Sequence, residues 1–201
     1  MLRKHETAVL VTPIARTLPN ISQADWIGID AGYKKILEMK KDCLFAIGDF
    51  DSAKLDSNLP FPVFRHPVEK DETDTELALA AVSKMGYSRV ILWGALGGRL
   101  DHTLANLRCI VWMYPDTICM DENHQVTVLK PGCHSLAAHY RHVSFFAMEP
   151  SVITLEGFDY PLFKRAIDQR DFYTCSNSIS GAKAEIIIES GRVLCVQTNI
   201  A

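Results

Sequence analysis

Apolar and polar positions follow two different patterns along this chain. In the first half, short apolar runs alternate with segments of helical spacing. Thr7 to Thr12 reads as a buried strand ended by Pro13, and Trp26 to Asp30 as a second, closed by Ala31-Gly32. Tyr33 to Lys40 then suits a short helix. The run Leu44 to Ile47 has the length of a buried strand, which makes Cys43 to Gly48 the third. After a polar loop bearing Pro60, Pro62 and Pro67, Thr73-x-x-Glu76 matches the capping box of a helix start. Leu77, Ala78, Ala81, Val82 and Met85 recur at helical spacing before Gly86. Arg89 to Leu96 supplies another buried strand. A helix follows with Asp101 as its expected N-cap and Leu104, Leu107, Ile110 and Val111 on one side. Thr117 to Met120 reads as a last strand. Strand–helix alternation of this kind predicts a parallel sheet with right-handed crossovers.

From about Asp116 the helical period fades. Strands are expected at Gln125 to Leu129, His142 to Met148, Val152 to Leu155, Ala184 to Glu189 and Arg192 to Thr198. Pro131-Gly132 and Ser190-Gly191 read as turns, the second closing a hairpin. Leu162 to Asp168 reads as a short helix or an irregular loop. The pattern changes near Asp121 to His124, predicting an α/β domain over 1–122 and an all-β domain over 123–201.

Composition narrows the function classes. A net charge of −3 gives no reason to expect nucleic acid, which favours a basic face. No apolar stretch approaches the length of a membrane span. Six cysteines, none in Cys-x-x-Cys spacing, and a first segment without a signal-peptide core point to a reducing cytoplasm. The seven histidines show no zinc spacing.

Chemistry concentrates at strand ends. Gly48 is followed by Asp49 and Asp51 with Phe50 between. In an extended chain both carboxylates would face one point beyond the strand, where open α/β sheets place their ligands. Two carboxylates about 4 Å apart repel by roughly 4 kcal/mol at an effective dielectric of 20, and a divalent cation removes that repulsion. This favours a Mg²⁺ site serving phosphate chemistry. The plainer alternative is turn formation by Asp and Ser. Asp30 ends the second strand on the same edge, and Asp74 holds the first helical position, where the helix dipole favours a carboxylate. In Gly97-Gly98-Arg99-Leu100-Asp101-His102 the glycines admit close backbone approach, and Arg99 offers planar donors to phosphate oxygens.

Four segments in this order resemble the thiamine pyrophosphokinase family: Ile29-Asp30-Ala31-Gly32, Gly48-Asp49-Phe50-Asp51-Ser52, Lys70-Asp71-Glu72-Thr73-Asp74 and Gly97 to His102. Ser176-Asn177-Ser178 resembles that family's thiamine-contacting segment. The resemblance implies transfer of a diphosphoryl group from ATP to the hydroxyl of thiamine, giving thiamine diphosphate and AMP. It implies an N-terminal Rossmann-like catalytic domain with a mostly parallel sheet, a C-terminal β-sandwich, and a homodimer with active sites at the subunit interface. By position it implies Asp49, Asp51 and Asp74 as Mg²⁺ ligands, with Asp71 and Asp101 as further acidic members. Arg99 and Lys70 would hold phosphate oxygens, with Asp30, Thr73 and His102 near the nucleotide. Ser176, Asn177 and Ser178 would contact thiamine. Where the family often has a glycine pair after its first strand, this chain has Thr12-Pro13-Ile14. Two rival readings stand beside it: an Asp-x-Asp phosphohydrolase or phosphotransferase resembling the haloacid dehalogenases, and a non-catalytic thiamine or nucleotide sensor.

Overall fold

Strand β1 (Thr7–Val11) lies at the middle of the first sheet, with four of its five residues buried. Val9 and Val11 share one apolar cluster with Tyr33 and Ile36 of helix α1 (Gly32–Glu38). The alternate residues Ala8 and Leu10 are equally buried and face the other side of the sheet, where helix α2 (Asp74–Met85) packs. Around β1 stand β2 (Asp25–Ile29), β3 (Cys43–Gly48), β4 (Val63–Arg65), β5 (Arg89–Trp93) and β6 (Thr117–Met120), with helix α3 (Leu100–Trp112) between the last two. The order is β4-β3-β2-β1-β5-β6, and every neighbouring pair is parallel. The chain thus winds outward from β1 through β4, returns, and continues on the other side with β5. That reversal makes the β1/β5 boundary a switch point, where ligands of open α/β sheets bind.

The computed structural model describes residues 3–51, 55 and 58–200. Ser52, part of one predicted motif, lies outside the described residues. The chain divides into two compact units, Met1–Glu122 and Asn123–Ala201. Among the described residues no helix is long and apolar enough to cross a membrane.

The second unit is a β-sandwich. One of its layers joins β7 (His124–Leu129), β13 (Val193–Thr198) and β9 (His142–Ala147), all antiparallel. The other has the order β11 (Leu162–Ile167), β10 (Ser151–Glu156), β12 (Lys183–Ser190), β8 (Gly132–Ala137), again antiparallel. Phe145, Ile153, Leu155, Ile186, Ile188, Val193 and Cys195 form the core between the layers.

Four sequence expectations are corrected. Leu162 to Ile167 is neither helix nor loop but a strand, held by pairing with β10. Gly132 to Ala137 is also a strand, where only a turn was expected. Ser190-Gly191 does not close a hairpin, because β12 and β13 lie in different layers. Alternation identifies the buried face of a strand but not its partner. In α3, Leu104 is exposed, and the buried side carries Asn106, Ile110 and Val111.

One pH-dependent contact ties the start of β2 to the end of α2. Tyr87 Oη donates to Asp25 Oδ2 at 2.8 Å, and the same oxygen accepts Lys4 N at 2.8 Å. Burial, then the bond to Asp25 and its charge, raise the Tyr87 pKa above the ordinary tyrosine value. A group with a raised folded pKa contributes stability that is present below its unfolded pKa, about 10, and lost above it. Urea midpoints should therefore fall for the wild type as pH rises beyond about 10, and fall less for Tyr87→Phe. Parallel alkaline slopes in the two proteins would contradict this assignment.

Candidate active site

The carboxyl ends of β1, β2, β3 and β5 and the starts of α2 and α3 enclose a cleft of about 540 Å³. That size suits a small-molecule site. Thr12, Asp30, Asp49 and Gly94 follow the four strands, and all line the cleft. Lys70, Thr73, Asp74, Arg99, His102 and Asn106 face it from the helix side, and Asp51 joins them. Of the predicted residues of the first unit, Asp71 and Asp101 do not line it.

Asp49 and Asp51 reach the cleft by a different route from the one their spacing implied. The chain is not extended between them, because Phe50 has a left-handed backbone, φ 56°. This turn sends the Phe50 ring into the core, 6.3 Å from the Tyr33 ring, and leaves both carboxylates outside it. Asp51 N donates to Asp49 Oδ1 at 3.1 Å. Asp30 is likewise left-handed, φ 46°. Such conformations cost of order 1–3 kcal/mol each and cluster at functional sites.

At the start of α2, Thr73 is the N-cap as expected, its hydroxyl accepting from Glu76 N at 3.1 Å. This sets Asp74 at the first helical position. Lys70 reaches back from the preceding loop, its Nζ donating to Asp49 Oδ2 at 2.9 Å and to Pro67 O at 3.1 Å. It stands 3.2 Å from Asp74 Oδ1 as an ion pair, although that oxygen is buried and has no hydrogen-bond partner. The two carboxylates respond differently to this one cation. The aligned bond from Lys70 is the main cause lowering the Asp49 pKa. Asp74 is raised, chiefly by burial and then by the charges of Asp49 and Asp30, against the pull of Lys70. For Lys70, burial opposes the charge, but pairing with Asp49 and Asp74 outweighs it and its pKa lies above the ordinary value.

The glycine segment is built from positive φ angles, 103° at Gly97 and 67° at Gly98, which glycine adopts without steric cost. Thr103 Oγ1 clasps the loop, accepting Gly97 N at 3.2 Å and donating to Gly97 O at 3.0 Å. Asp101 is not the N-cap. Arg99 is, and α3 begins two residues earlier than expected. Asp101 instead takes two bonds from Arg99, at 3.1 and 2.6 Å, and the Arg99 guanidinium holds its carboxyl down at about 2. Both side chains are exposed, 73 % and 63 %, so the pair is screened by salt.

Two lining residues escaped sequence reasoning. Thr12 Oγ1 donates to Gly94 O at 2.6 Å, joining the ends of β1 and β5 across the switch point. Asn106 Nδ2 donates to Ala95 O at 3.1 Å. A polar residue on the buried stripe of α3 was the available signal for Asn106; for Thr12 it was its place where the family often has a glycine pair.

In the second unit, Asn177 is buried and its amide is committed. Its Oδ1 accepts Tyr160 N and Ser178 N, at 3.0 and 2.9 Å, and its Nδ2 donates to Tyr160 O at 2.8 Å. Asn177 thereby shapes the segment. Ser176 is exposed and Ser178 half-buried.

Among the described residues no three His, Cys, Asp or Glu side chains already stand together as a ligand set. The donor chemistry still suits a hard cation. Carboxylate oxygens of Asp49, Asp51 and Asp74 line one cleft, and a buried Asp74 oxygen lacks a hydrogen bond.

Residues 20–120 match the thiamin pyrophosphokinase catalytic domain, and residues 123–193 match that family's vitamin B1 binding domain. The chain belongs to the thiamine pyrophosphokinase family. A thiamine pyrophosphokinase of Bacillus subtilis is 25 % identical over 186 residues, covering 86 % of each chain. The crystal structure of a thiamin pyrophosphokinase from Geobacillus thermodenitrificans superimposes with a TM-score of 0.85 at 29 % identity, covering 97 % of this chain and 98 % of that one. One from B. subtilis gives 0.86 at 23 % identity, covering 97 % and 100 %. As a member of the thiamine pyrophosphokinase family, the chain is a transferase of thiamine metabolism with an α/β unit and a β-sandwich.

Proposed function

We propose that this chain transfers the diphosphoryl group of ATP to thiamine, giving thiamine diphosphate and AMP. The observation that carries the reading is the cleft at the switch point of a thiamine pyrophosphokinase-family catalytic domain, lined by Asp30, Asp49, Asp51, Asp74, Lys70 and Arg99. The thiamine hydroxyl oxygen bonds to the β-phosphorus of ATP, the bond from that phosphorus to the α-phosphate bridging oxygen breaks, and AMP leaves. The hydroxyl proton passes to a carboxylate of the cluster.

Asp49, Asp51 and Asp74 would hold Mg²⁺, which when bound neutralises charge on the phosphates and on the leaving group. Arg99 supplies a guanidinium to phosphate oxygens, and Asp101 orients that guanidinium through its two bonds. Phosphoryl transfer depends chiefly on such positioning and electrostatics. Thr73 sets the helix start that presents Asp74, and Asp30 and His102 complete the wall for the nucleotide. Asp71 stands outside the cleft and has no part in this reading.

Thiamine recognition falls to the second unit, residues 123–201, where Ser176 and Ser178 offer hydroxyls and Asn177 fixes their segment. The match of residues 123–193 to a vitamin B1 binding domain supports this division. The active form is a homodimer, checked by its sedimentation mass; a monomer under assay conditions would contradict it. The enzyme works in the cytoplasm, whose reducing conditions suit six free cysteines.

The test is to incubate the protein with ATP, Mg²⁺ and thiamine and to identify the nucleotide product. AMP that forms only with thiamine and Mg²⁺ is expected. Phosphate released without thiamine would indicate a hydrolase, and no turnover a sensor.

A further inference from the structure

We propose that Lys70 is a resident counter-ion for Asp49 and Asp74, and that it must release them before it can hold phosphate. Cation entry at these carboxylates and phosphate capture by Lys70 then form one coupled exchange. This rests on the reading of the cleft as a Mg²⁺–phosphate site.

An ammonium has three N–H donors and no acceptor. Three oxygens surround that of Lys70: Asp49 Oδ2 at 2.9 Å, Pro67 O at 3.1 Å and Asp74 Oδ1 at 3.2 Å. Its side chain is only 11 % exposed. Two of its donors are thus committed to Asp49 and Pro67, and its charge is shared with Asp74 as an ion pair. Arg99, the other cation of the cleft, is by contrast mostly exposed. The two lysine-paired carboxylates come from separate elements, the end of β3 and the start of α2, and would repel without a positive charge between them. Lys70 supplies that charge from within the chain.

A divalent cation at the same oxygens does the work of the ammonium with twice the charge, and Lys70 becomes redundant there. Its flexible four-carbon stem then lets it swing into the cleft it already lines. The bond to Pro67 O keeps the amine close to its own loop. Without nucleotide, the cation must compete with an ammonium already in place, so its affinity is low. With nucleotide, the released ammonium gains a phosphate partner, so metal and nucleotide binding reinforce each other through Lys70.

The test measures Mn²⁺ binding to the nucleotide-free protein by electron paramagnetic resonance, for wild type and for Lys70→Met. The variant should bind Mn²⁺ at least about tenfold more tightly, since the competing charge is gone. Equal or weaker binding in the variant would overturn the exchange and leave the metal assignment standing. Binding in neither protein would overturn both. A second measurement needs no variant. Acylation of Lys70 by acetic anhydride, read by peptide mass, should rise when Mg²⁺ is added without nucleotide, and unchanged labelling would overturn the proposal. Neither readout depends on turnover, so failure of the thiamine reaction is scored separately.

Discussion

Asp74→Asn and Asp51→Asn should each lower turnover by about 10²–10³-fold while leaving the protein folded. The amide keeps the shape of the carboxylate and removes its negative charge. Both residues line the cleft, but they differ in local duty, which makes the pair informative. Asp51 is exposed and follows the left-handed turn at Phe50. Asp74 opens α2, where a carboxylate is also favoured by the helix dipole. If Asp74 served only the helix, its change to Asn would cost at most about 1 kcal/mol of stability and spare turnover. Steady-state rates at saturating Mg²⁺, with urea midpoints alongside, separate the two roles. Near-normal rates for Asp74→Asn would reduce it to a helix-start residue.

Gly32→Ala should destabilise the first unit by about 3 kcal/mol or more, although it adds only one methyl group. A Cβ on Gly32 would lie 1.9 Å from the carbonyl oxygen of Val11 and 2.8 Å from its carbon. Both atoms are backbone of the central strand, so neither can rotate away. Relief requires α1 to lift from β1, which exposes Tyr33 and Ile36 and shifts Asp30, two residues before the glycine. Urea denaturation should show a large drop in midpoint. A change under 1 kcal/mol would mean that α1 can move without disturbing the core.

The strands with long apolar runs were legible in the sequence, and three exposed edge strands were not. β3 is found at the bounds its apolar run predicts, and β1, β2 and β5 begin within one residue of expectation. All are buried and therefore written as continuous apolar runs. The three unforeseen strands, β4, β8 and β11, each lie at the edge of a sheet and are mostly exposed. Their place is fixed by backbone pairing with a neighbour, which leaves no periodic mark. β11 even carries Lys164 and Arg165, the kind of charge that discourages edge pairing.

The site was legible as a set of residues but not as an arrangement. Asp30, Asp49, Asp51, Lys70, Asp74 and Arg99 do meet in one cleft. That Lys70 stands between Asp49 and Asp74 depends on the path of loop 66–73, which no spacing rule encodes. The same holds for Asn177, whose composition suits ligand contact but whose amide is committed to Tyr160 and Ser178.

In the proposed reaction two phosphoryl groups move together. ATP carrying a radioactive label on its β-phosphorus tests it most directly, in a reaction with thiamine and Mg²⁺ resolved by chromatography. The label is expected to pass into thiamine diphosphate, and AMP to emerge unlabelled. Label retained in ADP, with thiamine monophosphate as the other product, would contradict it.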